Sequence, residues 1–174
     1  MFMYPIVVAF VSMIAAWKWG DWMHWRKYLP TIQYFILGDM LYNLLTWDFS
    51  LWLYPHPPNL LPNHLTNSLF IMFTIYPSTM LIFLYRYPQK NIIKQILYIL
   101  IWIVLWLLEE FIMISNGLCV YSNGWTYTWS VFFASVMIPM LLLHYKRPMW
   151  AYILSVPITV FLLLWFHVPV LNAK

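Results

Sequence analysis

The sequence predicts an all-α fold: a polytopic integral membrane helical bundle of six transmembrane helices with both termini extracytoplasmic. Three observations carry this expectation. The 174 residues are 64% hydrophobic and only 8% charged, far below the roughly 25% charge of soluble domains. Six apolar stretches each come close to the about 20 residues needed to cross a bilayer core. The Lys and Arg residues are confined almost wholly to alternate connections, the pattern left by the positive-inside rule.

In chain order the spans fall at residues 2–17, 31–53, 64–85, 91–116, 126–145 and 149–168, forming one domain. The first, "MFMYPIVVAFVSMIAAWKWG", has no positive charge ahead of its apolar run and three cations soon after it. That polarity predicts insertion with the amino end outward and no cleavage. The connection after span 1 holds Lys18, Arg26 and Lys27, that after span 3 holds Arg86, Lys90 and Lys94, and that after span 5 holds Lys146 and Arg147. The alternate connections, "YPHPPNLLPNH" and "NGLCVYSNGWTY", hold none, and Lys174 alone falls on the opposite side. Trp17, Trp19, Trp22, Trp25 and Tyr28 on the basic side, and Trp47, Trp52, Tyr54, Trp125, Tyr127 and Trp129 on the other, fit aromatic belts at headgroup level.

The strings "RKYLP", "YRYP" and "YKRP" place Pro30, Pro88 and Pro148 where proline opens a following helix without losing a needed hydrogen bond. Their regular spacing follows from two spans plus short loops and requires no duplication. Pro77, Pro139 and Pro157 fall inside spans. A single cysteine, Cys119, excludes an internal disulfide and a Cys-based structural zinc site. A net charge of +4, dispersed between apolar segments, is not a nucleic-acid footprint. The lipid bilayer is the expected partner, with a membrane protein or a second copy of the chain as a further one.

The polar residues inside spans are the functional signal. At 100° per residue Asp39, Asn43, Thr46 and Ser50 share a narrow arc of span 2, with Asp48 opposite. Span 3 aligns His64, Asn67, Thr74 and Ser78; span 4 aligns Trp102, Trp106, Glu109, Met113 and Asn116; span 5 aligns Trp125, Thr128 and Ser135; span 6 offers Ser155 and Thr159. Spans 2 to 6 are therefore expected to turn polar stripes toward one another, with span 1, which has only Ser12, at the periphery.

Measured from Pro30, Asp39 should lie roughly 13 Å into the membrane, with Glu109 and Glu110 in the outer half and Asp48 near the outer headgroups. A carboxylate at a helix centre costs roughly 2.5–3.5 kcal/mol on insertion scales. Span 2, which also carries Gln33, Gly38, Asn43 and Thr46, is thus marginal alone and should need its neighbours to stay inserted.

No Lys or Arg lies mid-span, so the acids must be met by protonation, by neutral donors, or by water or a bound cation. For Asp39 with Asn43, a proton or cation site and an interhelical hydrogen bond stand as equal readings. Glu109 and Glu110, 100° apart, place one carboxyl toward a pocket and the other toward the interface. His56 and His64 form a zinc site only with a third ligand supplied by a folded-back loop, so no metal centre is expected. His144 and His167, near span ends, read as interface residues. The chain has no mid-span lysine for a Schiff base, no Gly-x-Ser-x-Gly elbow, no Gly-rich phosphate loop and no HExxH.

The strings "WKWGDWMHWRKYLPTIQYFILGDMLYN", "LLEEF", "SNGW" and "LHYKRP" resemble a family of small, uncharacterised polytopic membrane proteins of spore-forming Firmicutes, from Trp17 to about Ala151. The resemblance implies the cytoplasmic membrane of a Gram-positive bacterium. It places Asp39, Asn43, Glu109 or Glu110, Asn123 and Trp125 within recurring motifs, although the family pattern carries one acid where this chain has two.

The leading expectation is a non-enzymatic protein with an outward-facing polar pocket for a small polar ligand, proton or cation, in a transport or sensing assembly. The pocket residues are Asp39, Asn43, Thr46, Asn67, Glu109, Glu110, Asn116, Asn123 and Trp125. Two alternatives stand beside it. One is a membrane-embedded enzyme acting on a lipid or isoprenoid headgroup, with Asp39 and a glutamate as acid and base; the other is a structural subunit of a membrane complex.

Overall fold

The computed structural model describes residues 3–55 and 63–170. Six helices account for most of it: α1 (Tyr4–Trp19), α2 (Trp25–Leu45), α3 (His64–Tyr85), α4 (Ile92–Ser115), α5 (Tyr127–Lys146) and α6 (Pro148–Trp165). Two short strands, β1 (Trp52–Leu53) and β2 (Val120–Tyr121), pair antiparallel in the connections after α2 and α4. Four helices, α3 to α6, are long and apolar enough to cross a membrane. α1 is apolar but only 16 residues long, and α2, with Arg26, Lys27, Gln33, Asp39 and Asn43, does not join the four despite its 21 residues.

Local chemistry sets the ends. α3 begins with a capping box, in which Thr66 N–H donates to Asn63 Oδ1 at 2.9 Å and Asn63 N–H to Thr66 Oγ1 at 3.2 Å. Asn91 Oδ1 caps α4 by accepting from Lys94 N–H. α4 stops in a Schellman motif: Gly117 takes φ +67°, and Leu118 and Gly117 N–H donate back to Met113 and Ile114 carbonyls. α6 closes in the same way with His167 at φ +52°.

Pro148 is the first residue of α6, as its spacing predicts, but Pro30 lies inside α2, which begins five residues earlier at Trp25. The expected 31–53 span is corrected accordingly: the helix ends at Leu45, and Ser50 leaves the polar arc for the turn that leads to β1. Asp39 consequently lies roughly 21 Å along α2 from its first residue, in place of 13 Å from Pro30.

α1 packs on α3, α3 on α2 and α2 on α5, while α5 also carries α4 and α6. Aromatic contacts of Phe83 with Tyr98 and Trp102 join α3 to α4. The four helices α2, α3, α4 and α5 thus surround a common core of residues such as Phe35, Met72, Phe83 and Ile138, with α1 and α6 outside. Span 1 is peripheral, as expected. Its contact with α3 is close because Ala9 and Ala16, both buried, present little side chain. At the end of α1 a Cβ on Gly20 would lie 2.6 Å from the Ala16 carbonyl oxygen and 3.2 Å from Leu81 Cβ.

Three connections meet at one end of the bundle. Arg86 Nε donates to the Trp19 carbonyl, Lys146 Nζ lies 4.5 Å from the Tyr87 ring centre, and Lys27 Nζ lies 5.7 Å from that of Tyr145. This is the basic end; β1 and β2 mark the other.

Gly20→Ala should lower the melting temperature of the purified protein, with a loss of about 1–3 kcal/mol from overpacking, because backbone is what the new methyl meets. Thermal unfolding followed by tryptophan fluorescence in detergent reads it, and an unchanged transition would show that the backbone at the end of α1 shifts to make room for the methyl.

Candidate functional site

Two sets of hydrogen bonds hold the acids. In the first, Asp39 Oδ2 accepts from the Tyr76 hydroxyl at 2.6 Å and Asp39 Oδ1 from Asn43 Nδ2 at 3.0 Å. The helical step puts Asn43 one turn above Asp39, so the amide also donates to the Asp39 carbonyl oxygen at 2.9 Å. The Tyr76 ring is stacked on Phe35 at 3.9 Å, and Trp106 of α4 closes over both at 5.7–6.0 Å. The phenol is therefore delivered to the carboxylate by a ring fixed on two sides.

In the second set Glu110 Oε1 accepts from the Ser130 hydroxyl at 2.6 Å and from the Tyr121 hydroxyl at 2.7 Å. Trp125 Nε1–H donates to Ser130 Oγ at 2.9 Å. Ser130 belongs to α5 and Tyr121 to β2, so one carboxylate ties a helix and a strand to α4. Ser130 and Trp125 are buried.

Glu109, half-buried, makes no hydrogen bond among the described residues. The Tyr76 hydroxyl lies within the electrostatic reach of Glu109 as well as of Asp39. Tyr54 lies just beyond β1. Burial holds its phenol well above the ordinary value, and the negative charges of Asp39, Glu109 and Glu110 push in the same direction. Tyr54 also connects to α3: its N–H donates to His64 Nδ1 at 3.2 Å, and the two rings are 5.3 Å apart. One turn below His64 lies Asn67, 1% exposed, with neither its Nδ2 nor its Oδ1 paired among the described residues. A buried amide with both ends unmet is costly, on the order of 1–3 kcal/mol per group.

The other expected residues are occupied elsewhere. Thr46 is buried, but its hydroxyl bonds back to the Tyr42 carbonyl. Asn116 is exposed at the end of α4 and donates to the Ile112 carbonyl; Asn123, also exposed, donates to the Ser50 carbonyl. The span 5 stripe is corrected: Thr128 and Ser135 are exposed, and Ser130 is the polar residue turned inward. Ser135 tolerates exposure because its hydroxyl bonds to the Val131 carbonyl within the helix. Ser50 is likewise turned to its own backbone, donating to the Thr46 carbonyl.

His144 is corrected too, being 3% exposed rather than interfacial. Its Nδ1 is 3.0 Å from Thr31 Oγ1, and its ring is stacked on Tyr34 at 4.2 Å, whose hydroxyl meets Ser155 at 2.6 Å. This cluster joins α2, α5 and α6 on the side of the core nearer the basic end. His56 lies outside the described residues. Among the described residues, no three His, Cys, Asp or Glu side chains gather as metal ligands. An apolar crevice of about 240 Å³ between α5 and α6, lined by residues such as Phe132, Pro157 and Phe161, lacks polar groups and is separate from the acids.

Periodicity finds Asp39, Asn67 and Glu109 but misses Tyr76, Tyr121, Ser130 and Tyr54. For Tyr76 a signal existed, since a phenol far from either end of an apolar helix must find a partner. No family model matches the chain, and neither a curated protein nor a solved structure matches it.

Tyr76→Phe keeps the stacked ring and removes the donor to Asp39. It should cost about 1.5–3 kcal/mol, the range for a bond to a charged group, read by denaturant or thermal unfolding. In an Asp39→Asn background the same substitution should cost measurably less; equal costs would mean that the two groups do not interact.

Proposed function

We propose that this chain is a six-span membrane protein with both termini extracytoplasmic, and that its acids form a site open to the outer side for a proton, a cation or a small polar ligand. The observation that carries the reading is a set of carboxylates enclosed by apolar helices without a cation. Asp39, Glu109 and Glu110 are half-buried, and the sole ion pair among the described residues is Asp21 with His24. Glu109 and the Asn67 amide supply acceptors and a donor that have no partner among the described residues, as a ligand with its own polar groups requires.

The topology has support from the gathering of three basic connections at one end. α1 and α2 complete the six: 16 residues extend about 24 Å and 21 about 31 Å, and α2's Asp39 and Thr31 are met by Tyr76 of α3 and His144 of α5. The Gram-positive cytoplasmic membrane, and a role in a transport or sensing assembly, belong to the same proposal. Acid–base chemistry on a lipid headgroup has less support, because Asp39 and Glu110 are each engaged by two donors of their own.

Melting of the purified protein in neutral detergent, with Na⁺, K⁺, Mg²⁺ or Ca²⁺ added and across a pH series, tests the reading. A ligand at about 100 times its Kd adds about 2.7 kcal/mol of stability, so a shift of several degrees with one cation, or with pH, is expected. Glu109→Gln should remove the shift, and Asn67→Leu should weaken it. A wild-type curve indifferent to every cation and to pH would reduce the carboxylates to interhelical fastenings.

A further inference from the structure

The basic end carries an electrostatic imbalance that the acid site does not use. All eight Lys and Arg among the described residues lie there and are exposed, from Lys18 in the first connection to Arg147 in the third. Asp21 is the sole carboxylate in these connections, and it is already engaged. Its Oδ2 accepts from the Tyr28 hydroxyl at 2.9 Å, and His24 Nδ1 lies 3.0 Å from Oδ1. Loss of hydration pushes the Asp21 pKa up, but these hydrogen bonds together outweigh it and hold the carboxyl below its ordinary value. No Lys or Arg at this end makes an ion pair among the described residues.

The cations are linked in space across all three connections. Lys27 of α2 sits by the ring of Tyr145, whose neighbour Lys146 lies over the ring of Tyr87, whose neighbour Arg86 reaches the Trp19 carbonyl beside Lys18. Arg86 spends Nε on that carbonyl, leaving its two Nη groups with no partner among the described residues. A guanidinium with a free edge flanked by ammonium groups matches the oxygens of a phosphodiester. Trp17, Trp19, Trp22 and Trp25 are exposed on the same rim, from 43% to 79%, which sets the patch at the depth where tryptophan meets lipid headgroups.

We propose that this patch, centred on Lys27, Arg86 and Lys146, binds the phosphate of an anionic phospholipid, and that the bound headgroup holds the three basic connections together. The inference rests on the membrane reading and is independent of the acid site. Soluble polyanions share the phosphate chemistry. Lipid is the occupant argued for here because the tryptophan rim surrounds the cations.

The full chain in phosphatidylcholine nanodiscs, with a rising fraction of phosphatidylglycerol or cardiolipin, provides the test. The melting temperature should climb with the anionic fraction, and high salt should diminish the climb. Lys146→Gln, which touches little beyond the Tyr87 ring, should cut it measurably, and Lys27→Gln/Arg86→Gln/Lys146→Gln should remove most of it. Lys90→Gln, a cation outside the linked chain of contacts, should leave it nearly intact. If the triple variant fails to fold, the single variants and the salt series still decide. No dependence on anionic lipid, or an equal climb in all variants, overturns the proposal; an equal climb with inorganic pyrophosphate in phosphatidylcholine alone replaces the lipid with a soluble anion. Loss of cation dependence at Glu109 would leave this lipid response unchanged, so the two readings fail separately.

Discussion

The hydrogen bond from Tyr76 to Asp39 is the interaction on which the bundle most depends. α2 is the least apolar of the long helices, yet it lies between α3 and α5 at the middle of the assembly. A helix with a carboxylate there is held only if the charge, or the proton it takes up, is answered from inside the protein, since hydrocarbon offers no partner. α3 supplies that answer through one phenol. The stacking of Phe35 and Trp106 around it then becomes part of the same arrangement, because the hydroxyl reaches Asp39 only while the ring is held upright.

The opposite flank repeats the logic with different chemistry. Glu110 is satisfied by one hydroxyl from a helix and one from a strand, and Trp125 orients the helix hydroxyl by donating to it. The strand is present because the turn after α2 folds against the turn after α4. Tyr42 anchors this fold, accepting from Leu51 and Trp52 N–H and donating to the Trp52 carbonyl, with its ring stacked on Trp52 at 3.7 Å. Backbone groups in an irregular turn near the apolar bundle are thus paired with side chains rather than left to lipid.

Much of the architecture was legible in the sequence because hydrophobic length and charge placement are properties of single segments. The bounds of α3, α4 and α5 fall within a residue or so of those read from apolar runs. α2 was misread because Pro30 resembles a helix start, whereas the aromatic turn from Trp25 to Leu29 precedes it in the same helix. The site was legible only in part for a related reason. Asp39, Asn67 and Glu109 announce themselves as polar residues in apolar surroundings. Tyr76 and Tyr121 do not stand out in that way, and His144 near a span end reads as interfacial, because residue type does not reveal which phenol or imidazole turns inward. Ser130 lost to Thr128 and Ser135 because a helical wheel fixes relative angles but not which face meets the neighbours.

The β1–β2 pairing has one more consequence. Cys119, the chain's only thiol, immediately precedes β2 and is 3% exposed, on the flank of the ribbon that covers the acids. Maleimide or iodoacetamide therefore reaches the sulfur only when the packing around it opens. The speed of alkylation thus measures how often this end of the bundle loosens, with no engineered label required.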